Sequence, residues 1–261
     1  MSSIREALKR AERERLERGD VDERGPLRGV EAPAPSNPQL AVIAQPPIPV
    51  IDVPVDIAQE LAYFRQGVEA ALPQPHRSIV LASANSGEGV TTLVNYLAAS
   101  LALRDNKRTC LIDCNFDSPR TTAILGLLGK PGISDYCVGR AELPEVLMRT
   151  ESPQFYVIGL GTDNYNPSLV LSSDRARSLT KDLAQRFDYV LFDAGSVLGH
   201  AETSLLAGLV DGVVLIARAN RTKREVLAKA DKLLRFSGGR VLGTVLNRRT
   251  FPIPDSIYRR L

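Results

Sequence analysis

Short apolar runs alternate with stretches of helical periodicity over most of this chain. Strands buried between two layers of helices read as continuous apolar runs, which is typical of parallel sheets. We therefore predict an α/β fold with a mostly parallel sheet and helices on both faces. Ligands of such folds bind beyond the carboxyl ends of the strands, so functional residues are expected there. The six predicted strands are residues 78–84, 109–114, 155–161, 188–194, 212–219 and 240–248.

The chain before residue 56 lacks the pattern of a folded core. Its first residues predict a short charged helix, in which Ser3 and Glu6 can form a capping box. This helix would either dock on a partner or remain a solvated arm. Eight of the seventeen prolines lie between Arg24 and Val55, which favours an extended linker. The predicted organisation is a charged helix (1–19), a proline-rich linker (20–55), a folded domain (56–250) and a C-terminal tail (251–261).

Charge and composition argue against several classes of function. The 33 basic and 30 acidic residues leave a formal net charge of +3, so no strong field attracts nucleic acid. The three cysteines are predicted to be reduced, buried thiols of a cytosolic protein. Two distant histidines, His76 and His200, cannot complete a metal site with them. The N-terminal segment has neither the pattern of a secretory signal nor that of a membrane span.

The stretch "SANSGEGVTTL" (83–93) follows the first long predicted strand and has the composition of a phosphate-binding loop. Gly87 and Gly89 allow backbone N–H groups to approach phosphate oxygens closely. Thr91 stands where a hydroxyl would reach Mg²⁺, and a predicted helix follows whose N-terminus favours negative charge. Val90, however, occupies the position at which such loops carry a lysine. On these residues alone, a glycine turn between a strand and a helix is an equal alternative.

Two aspartates end predicted strands further along the chain. Asp113 ends the run in "TCLIDC", and Asp193 ends the run in "DYVLFDA". Acids in this arrangement after a phosphate loop suit Mg²⁺ and a γ-phosphate, although a strand-terminal aspartate can also cap the next helix. We predict Asp113 and Asp193 as catalytic acids and, with Thr91, as metal ligands.

Several segments together resemble the bacterial tyrosine kinases of capsule and exopolysaccharide synthesis, which belong to the deviant P-loop NTPase class of ParA and MinD. The similarity runs from about Ile57 to Arg249. It implies ATP or ADP with Mg²⁺ as ligands and a cytoplasmic kinase domain. It also implies recruitment to the inner face of the membrane by a polysaccharide co-polymerase of the chain-length-regulator type. The segments are "SANSGEGVTTLVNYLA", "CLIDCNFDSPR", "NPSLVLSSDRARSLTKDLAQRFDYVLFDAGSVL", "DGVVLIARANRTKREV" and "VLGTVLNR".

The blocks that carry chemistry in this family are altered here. Val90 replaces the loop lysine. The second block, normally D-x-D followed two residues later by arginine, continues after its first acid with Asn115 and Asp117. Gly195 and Ser196 replace two prolines of the third block. The altered catalytic positions are therefore Val90, Asn115 and Asp117.

The family's assembly and substrate segments are also incomplete. An E-x-x-R-x-x-R motif that supports ring assembly in the family reads Gln59, Ala62 and Arg65 here, which leaves homo-oligomer formation open. The C-terminal tyrosine cluster, phosphorylated in trans, is reduced to Tyr258. Asn247 matches a position near the adenine, with a turn asparagine as the alternative. The nucleotide-binding residues that the resemblance implies are Gly87, Glu88, Gly89, Val90, Thr91, Thr92 and Asn247.

Two further features carry weaker signals. His200 could face the site, but it is interpreted as an ordinary residue at a helix start. The basic C-terminal end could touch anionic lipid or a partner, but it is interpreted as solvated. Its residues are Arg248, Arg249, Arg259 and Arg260.

The altered blocks predict a catalytically degenerate kinase relative, a pseudokinase whose binding of ATP or ADP and Mg²⁺ is weak or lost. Its expected role is that of a cytosolic partner or regulator of polysaccharide assembly and export. The first alternative is an active autokinase or ATPase, whose missing cation comes from another subunit or from a remote lysine such as Lys107. The second is a ParA- or MinD-like positioning protein.

Overall fold

The computed structural model describes residues 46–249, apart from residues 74, 76 and 164. The predicted N-terminal helix (1–19) and C-terminal tail (251–261), with Tyr258, lie outside the described residues. So do His76 and the first part of the predicted linker.

Seven strands form a single sheet in the described part of the chain. The strands are β1 (Arg77–Ser83), β2 (Thr109–Cys114), β3 (Met148–Arg149), β4 (Phe155–Ile158), β5 (Tyr189–Ser196), β6 (Gly212–Arg218) and β7 (Val241–Asn247). Every strand pair is parallel except β3 with β4, and the order across the sheet is β3-β4-β2-β5-β1-β6-β7. The predicted parallel sheet and its six strands are confirmed, whereas the two-residue strand β3 was missed.

In the described part of the chain, helices connect most successive strands, as the alternating pattern predicts, but a helix also precedes β1, and β3 and β4 are joined without a helix. None of the described helices is both long enough and apolar enough to cross a membrane. Their bounds are α1 (Val55–Ala71), α2 (Val90–Leu103), α3 (Arg120–Ile124), α4 (Ile133–Cys137), α5 (Leu143–Val146), α6 (Pro167–Ser172), α7 (Asp174–Arg186), α8 (Ala201–Ala207) and α9 (Arg224–Phe236).

The core has two layers, one on each face of the sheet. Helices α1 and α2 cover one face, where they pack on strand residues such as Ile79 and Leu111. Helices α4 to α9 cover the other face, where the neighbouring strand residues Val80 and Ile112 point. Because successive side chains of a strand point to opposite faces, both sets must be apolar. This explains why the strands read as continuous apolar runs.

The packed part of the chain begins earlier than the predicted domain start at residue 56. Ile48 and Val53 are buried against the α1 and α2 face. The backbone of Ile48 also bonds to the segment around β3, since its N–H donates to the Arg149 carbonyl over 3.0 Å. The end of the predicted linker therefore packs on the domain, because the side chains of Ile48 and Val53 are buried in the core.

The three cysteines, Cys110, Cys114 and Cys137, are buried and form no disulfide. Burial raises the pKa of the Cys137 thiol to about 11, which keeps it protonated at neutral pH. The predicted burial of the three thiols is confirmed.

Candidate nucleotide-binding site

The candidate phosphate loop joins β1 to α2. Gly87 and Gly89 have φ angles of 82° and 97°, a region that side chains with a Cβ rarely adopt. A Cβ at Gly89 would also collide with the side-chain amide of Asn247. The glycines are therefore required by the backbone, as a phosphate loop would need.

The backbone N–H groups of this loop are available to a ligand. Within the described residues, none of the N–H groups from Ser86 to Thr92 donates a hydrogen bond, whereas the Leu93 N–H already bonds to the Gly89 carbonyl. They lie at the N-terminus of α2, where the helix dipole favours negative charge. This cluster of unpaired donors is the strongest structural sign of an anion site.

Glu88 fixes the shape of the loop. Its buried carboxylate accepts hydrogen bonds from the Ala84 N–H at 3.1 Å, the Asn85 N–H at 3.4 Å and the Thr222 hydroxyl. The Asn247 amide donates to the Glu88 carbonyl over 2.9 Å. Glu88 and Asn247, which the family resemblance implies as nucleotide contacts, thus hold the loop together here.

The two predicted acids meet at the carboxyl ends of adjacent strands. Asp113 of β2 and Asp193 of β5 are register partners, and both side chains are fully buried. Asp193 accepts hydrogen bonds from the hydroxyls of Thr121 at 2.7 Å and Thr91 at 3.3 Å. Asp113 accepts from the N–H and the hydroxyl of Thr122, both at 2.7 Å. The structure therefore brings Thr91, Asp113 and Asp193 together.

The electrostatics of this pair are unfavourable for two anions. Burial, with repulsion from Asp113 as the second cause, raises the pKa of Asp193 to about 7. Burial also raises the pKa of Asp113, against the effect of its hydrogen bonds from Thr122 and Asn115. A cation between the carboxylates would relieve both effects.

The donor set fits Mg²⁺ bound together with a nucleotide. Mg²⁺ typically takes one or two carboxylates plus phosphate oxygens and water, which matches Asp113, Asp193 and the Thr91 hydroxyl. Among the residues that the structure describes, no group of three or more His, Cys, Asp or Glu side chains could hold a metal ion. Two carboxylates and one hydroxyl leave the remaining coordination positions of Mg²⁺ to phosphate oxygens and water.

A cavity of about 360 Å³ opens in front of the loop. It brings Asn115 and Asp117 beside the loop residues, although Asp117 is exposed at its edge. Val90 also lines it but is only 7% exposed, because its side chain joins the apolar cluster beneath α1 and α2. The position of the missing lysine is thus occupied by a core residue without charge.

Three basic residues that line this cavity were not assigned to it from the sequence. Arg248 was interpreted as solvated and His200 as a helix-start residue, and Arg120 was not considered. His200 does directly precede α8, but it faces the site as well. The sequence could have indicated Arg120, because it lies three residues after Asp117, which occupies the family's arginine position. Lys107 lies just before β2 begins, at the sheet edge opposite to the loop, so the chain's own Lys107 does not replace the loop lysine.

His200 fills the space that Gly195 leaves open. Its Nδ1 lies 3.4 Å from Glu202 Oε1, and its Nε2 lies 3.9 Å from Asp117 Oδ2. A Cβ at Gly195 would come within 3.2 Å of the His200 ring. The loss of the family proline at this position thus coincides with an imidazole beside the cavity.

Several proteins named tyrosine-protein kinases are similar to this chain. No family model matches the chain. Tyrosine-protein kinase CpsD of Streptococcus agalactiae is 28% identical over 174 residues, which cover 66% of this chain and 76% of that kinase. Tyrosine-protein kinase wzc of Salmonella typhi is 30% identical over 212 residues, which cover 79% of this chain but only 28% of that protein.

Solved structures agree with this relationship. The kinase domain of VpsO is 29% identical and superposes with a TM-score of 0.66 over 74% of this chain and 95% of that domain. The kinase domain of the Escherichia coli tyrosine kinase ETK gives a TM-score of 0.68 at 21% identity, over 76% and 79% of the two chains. MinD of Pyrococcus horikoshii, complexed with Mg-ADP, gives 0.53 at 21% identity over 70% and 76%. The last two show the fold alone. By sequence and fold, the chain is similar to bacterial tyrosine-protein kinases, and its sheet has the P-loop fold that they share with MinD.

Proposed function

We propose that this protein binds a nucleotide in the cavity at its phosphate loop but transfers phosphate slowly or not at all. We further propose that it serves as a cytosolic partner or regulator of exopolysaccharide or capsule assembly. One observation carries the proposal: the loop keeps a row of unpaired N–H groups, while Val90 stands at the position of the lysine.

The binding part rests on the loop and the acids. Unpaired N–H groups at a helix N-terminus bind phosphate without any side-chain charge. Asp113 and Asp193 are register partners that are fully buried and do not line the cavity, whereas the Thr91 hydroxyl lines it and donates to Asp193 over 3.3 Å. When bound there, Mg²⁺ would offset charge on the phosphates. ATP or ADP with Mg²⁺ is therefore the ligand that we propose.

The catalytic part rests on what the cavity lacks. In phosphoryl transfer, a positioned cation stabilises charge that develops on the transferred group, and losing one such donor typically costs about 10²- to 10³-fold in rate. Val90 offers neither charge nor a hydrogen bond. Asn115 and Asp117, which also line the cavity, do not restore the acid and the arginine of the family. Slow or absent transfer follows from these changes.

The pathway and the partner come from the family resemblance. Its members work with a membrane polysaccharide co-polymerase, which would recruit this chain to the inner face of the membrane. For self-assembly, α1 retains Arg65 of the family motif. Its guanidinium pairs within the chain, 3.1 Å from Glu69 and 3.2 Å from Asp105. We therefore expect that contact with the co-polymerase depends less on a ring of identical subunits here than it does in the family.

Titration of the purified protein with ATP and ADP, with and without Mg²⁺, tests the binding part. We expect saturable binding that Mg²⁺ strengthens, and that Thr91→Val and Asp193→Asn weaken. Thr91→Val keeps the shape of the side chain and removes only the hydroxyl. A wild-type protein that binds neither nucleotide would refute the proposed function.

A second candidate is an active ATPase or autokinase of the same pathway. It is favoured by the two arginines that line the cavity, because a cation from elsewhere in the chain could take over the role of the lysine. Phosphate release from ATP that is abolished by Asp193→Ala would support this candidate. The absence of release by a protein that binds Mg-ATP would support the proposed function.

A further inference from the structure

Arg120 and Arg248 line the same cavity as the phosphate loop. We propose that these two arginines supply the positive charge that Val90 cannot, so that the phosphates of a bound nucleotide are held at the edge of the cavity. This inference rests on the proposed function, since it assigns the residues that bind the phosphates.

Arg120 is the first residue of α3, at the end of the loop that follows Asp113. Its Nε donates to the Ser118 hydroxyl over 3.3 Å, which positions the guanidinium group. Ser118 also lines the cavity. Among the described residues, no carboxylate pairs with Arg120, so its terminal N–H groups remain available for an anion.

Arg248 is tied to the loop through its neighbour. Its N–H donates to the Asn247 side-chain oxygen over 2.8 Å, and the Asn247 amide donates to the Glu88 carbonyl over 2.9 Å. Its φ angle of 55° is uncommon for a residue with a side chain, and such outliers cluster at functional sites. Within the described part of the chain, Arg248 has no acidic partner either.

The two arginines offset the charge of the two acidic residues that line the same cavity, Glu88 and Asp117. The Glu88 carboxylate accepts hydrogen bonds from two N–H groups and the Thr222 hydroxyl, so these donors within the protein partly offset its charge. Asp117 is exposed and lies 3.9 Å from His200. The planar guanidinium group binds phosphate through two parallel hydrogen bonds, which suits arginine for a site without a lysine.

The position of these charges also separates binding from catalysis. A loop lysine is aimed by the backbone at the β- and γ-phosphates, whereas Arg120 and Arg248 are exposed side chains with rotational freedom. Charges at an exposed edge attract and hold a polyanion, but they are not fixed where charge develops during transfer. The arginines would therefore restore affinity more than rate.

Calorimetric titration of the full-length protein with Mg-ATP, at one fixed salt concentration, tests this inference. We expect Arg120→Gln and Arg248→Gln each to weaken binding by about 10-fold, the scale of one charge-assisted hydrogen bond. The double variant should lose more than either single variant. Arg120→Lys, which keeps the charge, should retain most of the affinity.

Arg186→Gln is the matched control, because it removes the same charge at the end of α7, on the opposite edge of the sheet. Equal melting temperatures would exclude unfolding as the cause of weaker binding. If the wild type binds Mg-ATP and the double variant binds it equally well, the inference is wrong and the proposed function stands. An equal loss in Arg186→Gln would also overturn the inference. If the wild type does not bind, the proposed function fails and the inference fails with it.

Discussion

Val90 is the residue at which this site departs most from a kinase loop. It lines the cavity at the start of α2, so a lysine there could extend towards the phosphates. We expect Val90→Lys to raise the affinity for Mg-ATP by roughly 10- to 100-fold, the scale of a hydrogen bond to a charged group. Catalysis should recover much less, because Asn115 and Asp117 remain. Titration with Mg-ATP at fixed salt measures the gain.

Val90 also belongs to the core, so this comparison needs a control for folding. Val90→Met has a long side chain without charge and should not gain affinity. Adding Asp193→Ala to Val90→Lys should remove the gain, if the lysine acts in the same site as the acid. A folded Val90→Lys variant that binds Mg-ATP no better than wild type would mean that the loop has lost its phosphate site.

Asp193 makes the stability of the metal-free protein depend on pH. Its pKa of about 7 lies above the ordinary value of 3.8, so between these values the folded protein holds a proton that the unfolded chain releases. The contribution of Asp193 to the free energy of unfolding is therefore fully present below about pH 4 and is lost as the pH rises towards 7. Asp113 acts in the same direction, because its pKa is also raised.

We predict that the melting temperature in EDTA falls between pH 5 and pH 8 by roughly 5 to 10 °C, because a loss of about 1.4 kcal/mol per pH unit up to the pKa amounts to about 3 kcal/mol for a domain of this size. Asp193→Asn should flatten this dependence, because an amide does not titrate. Mg²⁺ added at pH 8 should raise the melting temperature of the wild type but not of the variant. An identical pH profile for both proteins would contradict this assignment.

At the scale of helices and strands, the sequence was informative wherever burial sets the pattern. Continuous apolar runs predicted six strands, and Gly87 and Gly89 predicted the loop between β1 and α2. The short strand β3 was missed, because two residues carry no periodicity. Ile48 was missed because the prolines around it favour an extended linker, although its side chain still packs on the core.

Side chains that reach the site from distant parts of the chain could not be predicted in this way. Arg120 and Arg248 are polar residues at the ends of elements, where sequence patterns do not distinguish a solvated side chain from one that lines a cavity. The register between Asp113 and Asp193, in contrast, follows from parallel strands that end at one edge of the sheet. The proximity of residues at neighbouring strand ends was predictable for this reason. The side chains that form the wall of the cavity were not.

The burial of Ile48 and Val53 shows that this segment contributes to the folded domain. We predict that deletion of residues 1–45 leaves the melting temperature within about 2 °C of the full chain. Deletion of residues 1–55 should lower it by more than about 5 °C, because it removes two buried side chains. Thermal unfolding of the two truncated proteins measures the difference.

The double substitution of Ile48→Ala and Val53→Ala in the full chain is the control for this prediction. It should destabilise the protein as deletion to residue 55 does, since it removes the same core contacts. Equal melting temperatures for both truncated proteins would show that the segment from Ile48 to Val53 contributes nothing to the domain. The deletion to residue 45 should still weaken pull-down by a membrane co-polymerase, if the N-terminal segment docks there.

At the scale of the whole molecule, we predict that the protein does not phosphorylate its own tyrosines at a meaningful rate. The loop lacks its lysine, and Asn115 stands at the position of the family's second acid. Tyr258 is all that remains of the family's cluster of substrate tyrosines. Protein produced in a host without other tyrosine kinases should carry no phosphotyrosine detectable by mass spectrometry. Strong phosphorylation at Tyr258 would instead favour an active autokinase.

The central claim is that the molecule binds ATP and leaves it intact. The most direct measurement incubates the protein with Mg-ATP labelled on its γ-phosphate, isolates the complex and identifies the label. We predict that the complex carries label as unchanged ATP, and that Asp193→Asn, assayed in parallel, carries much less. A complex without label, or label recovered as free phosphate or phosphotyrosine within the incubation, would contradict this account.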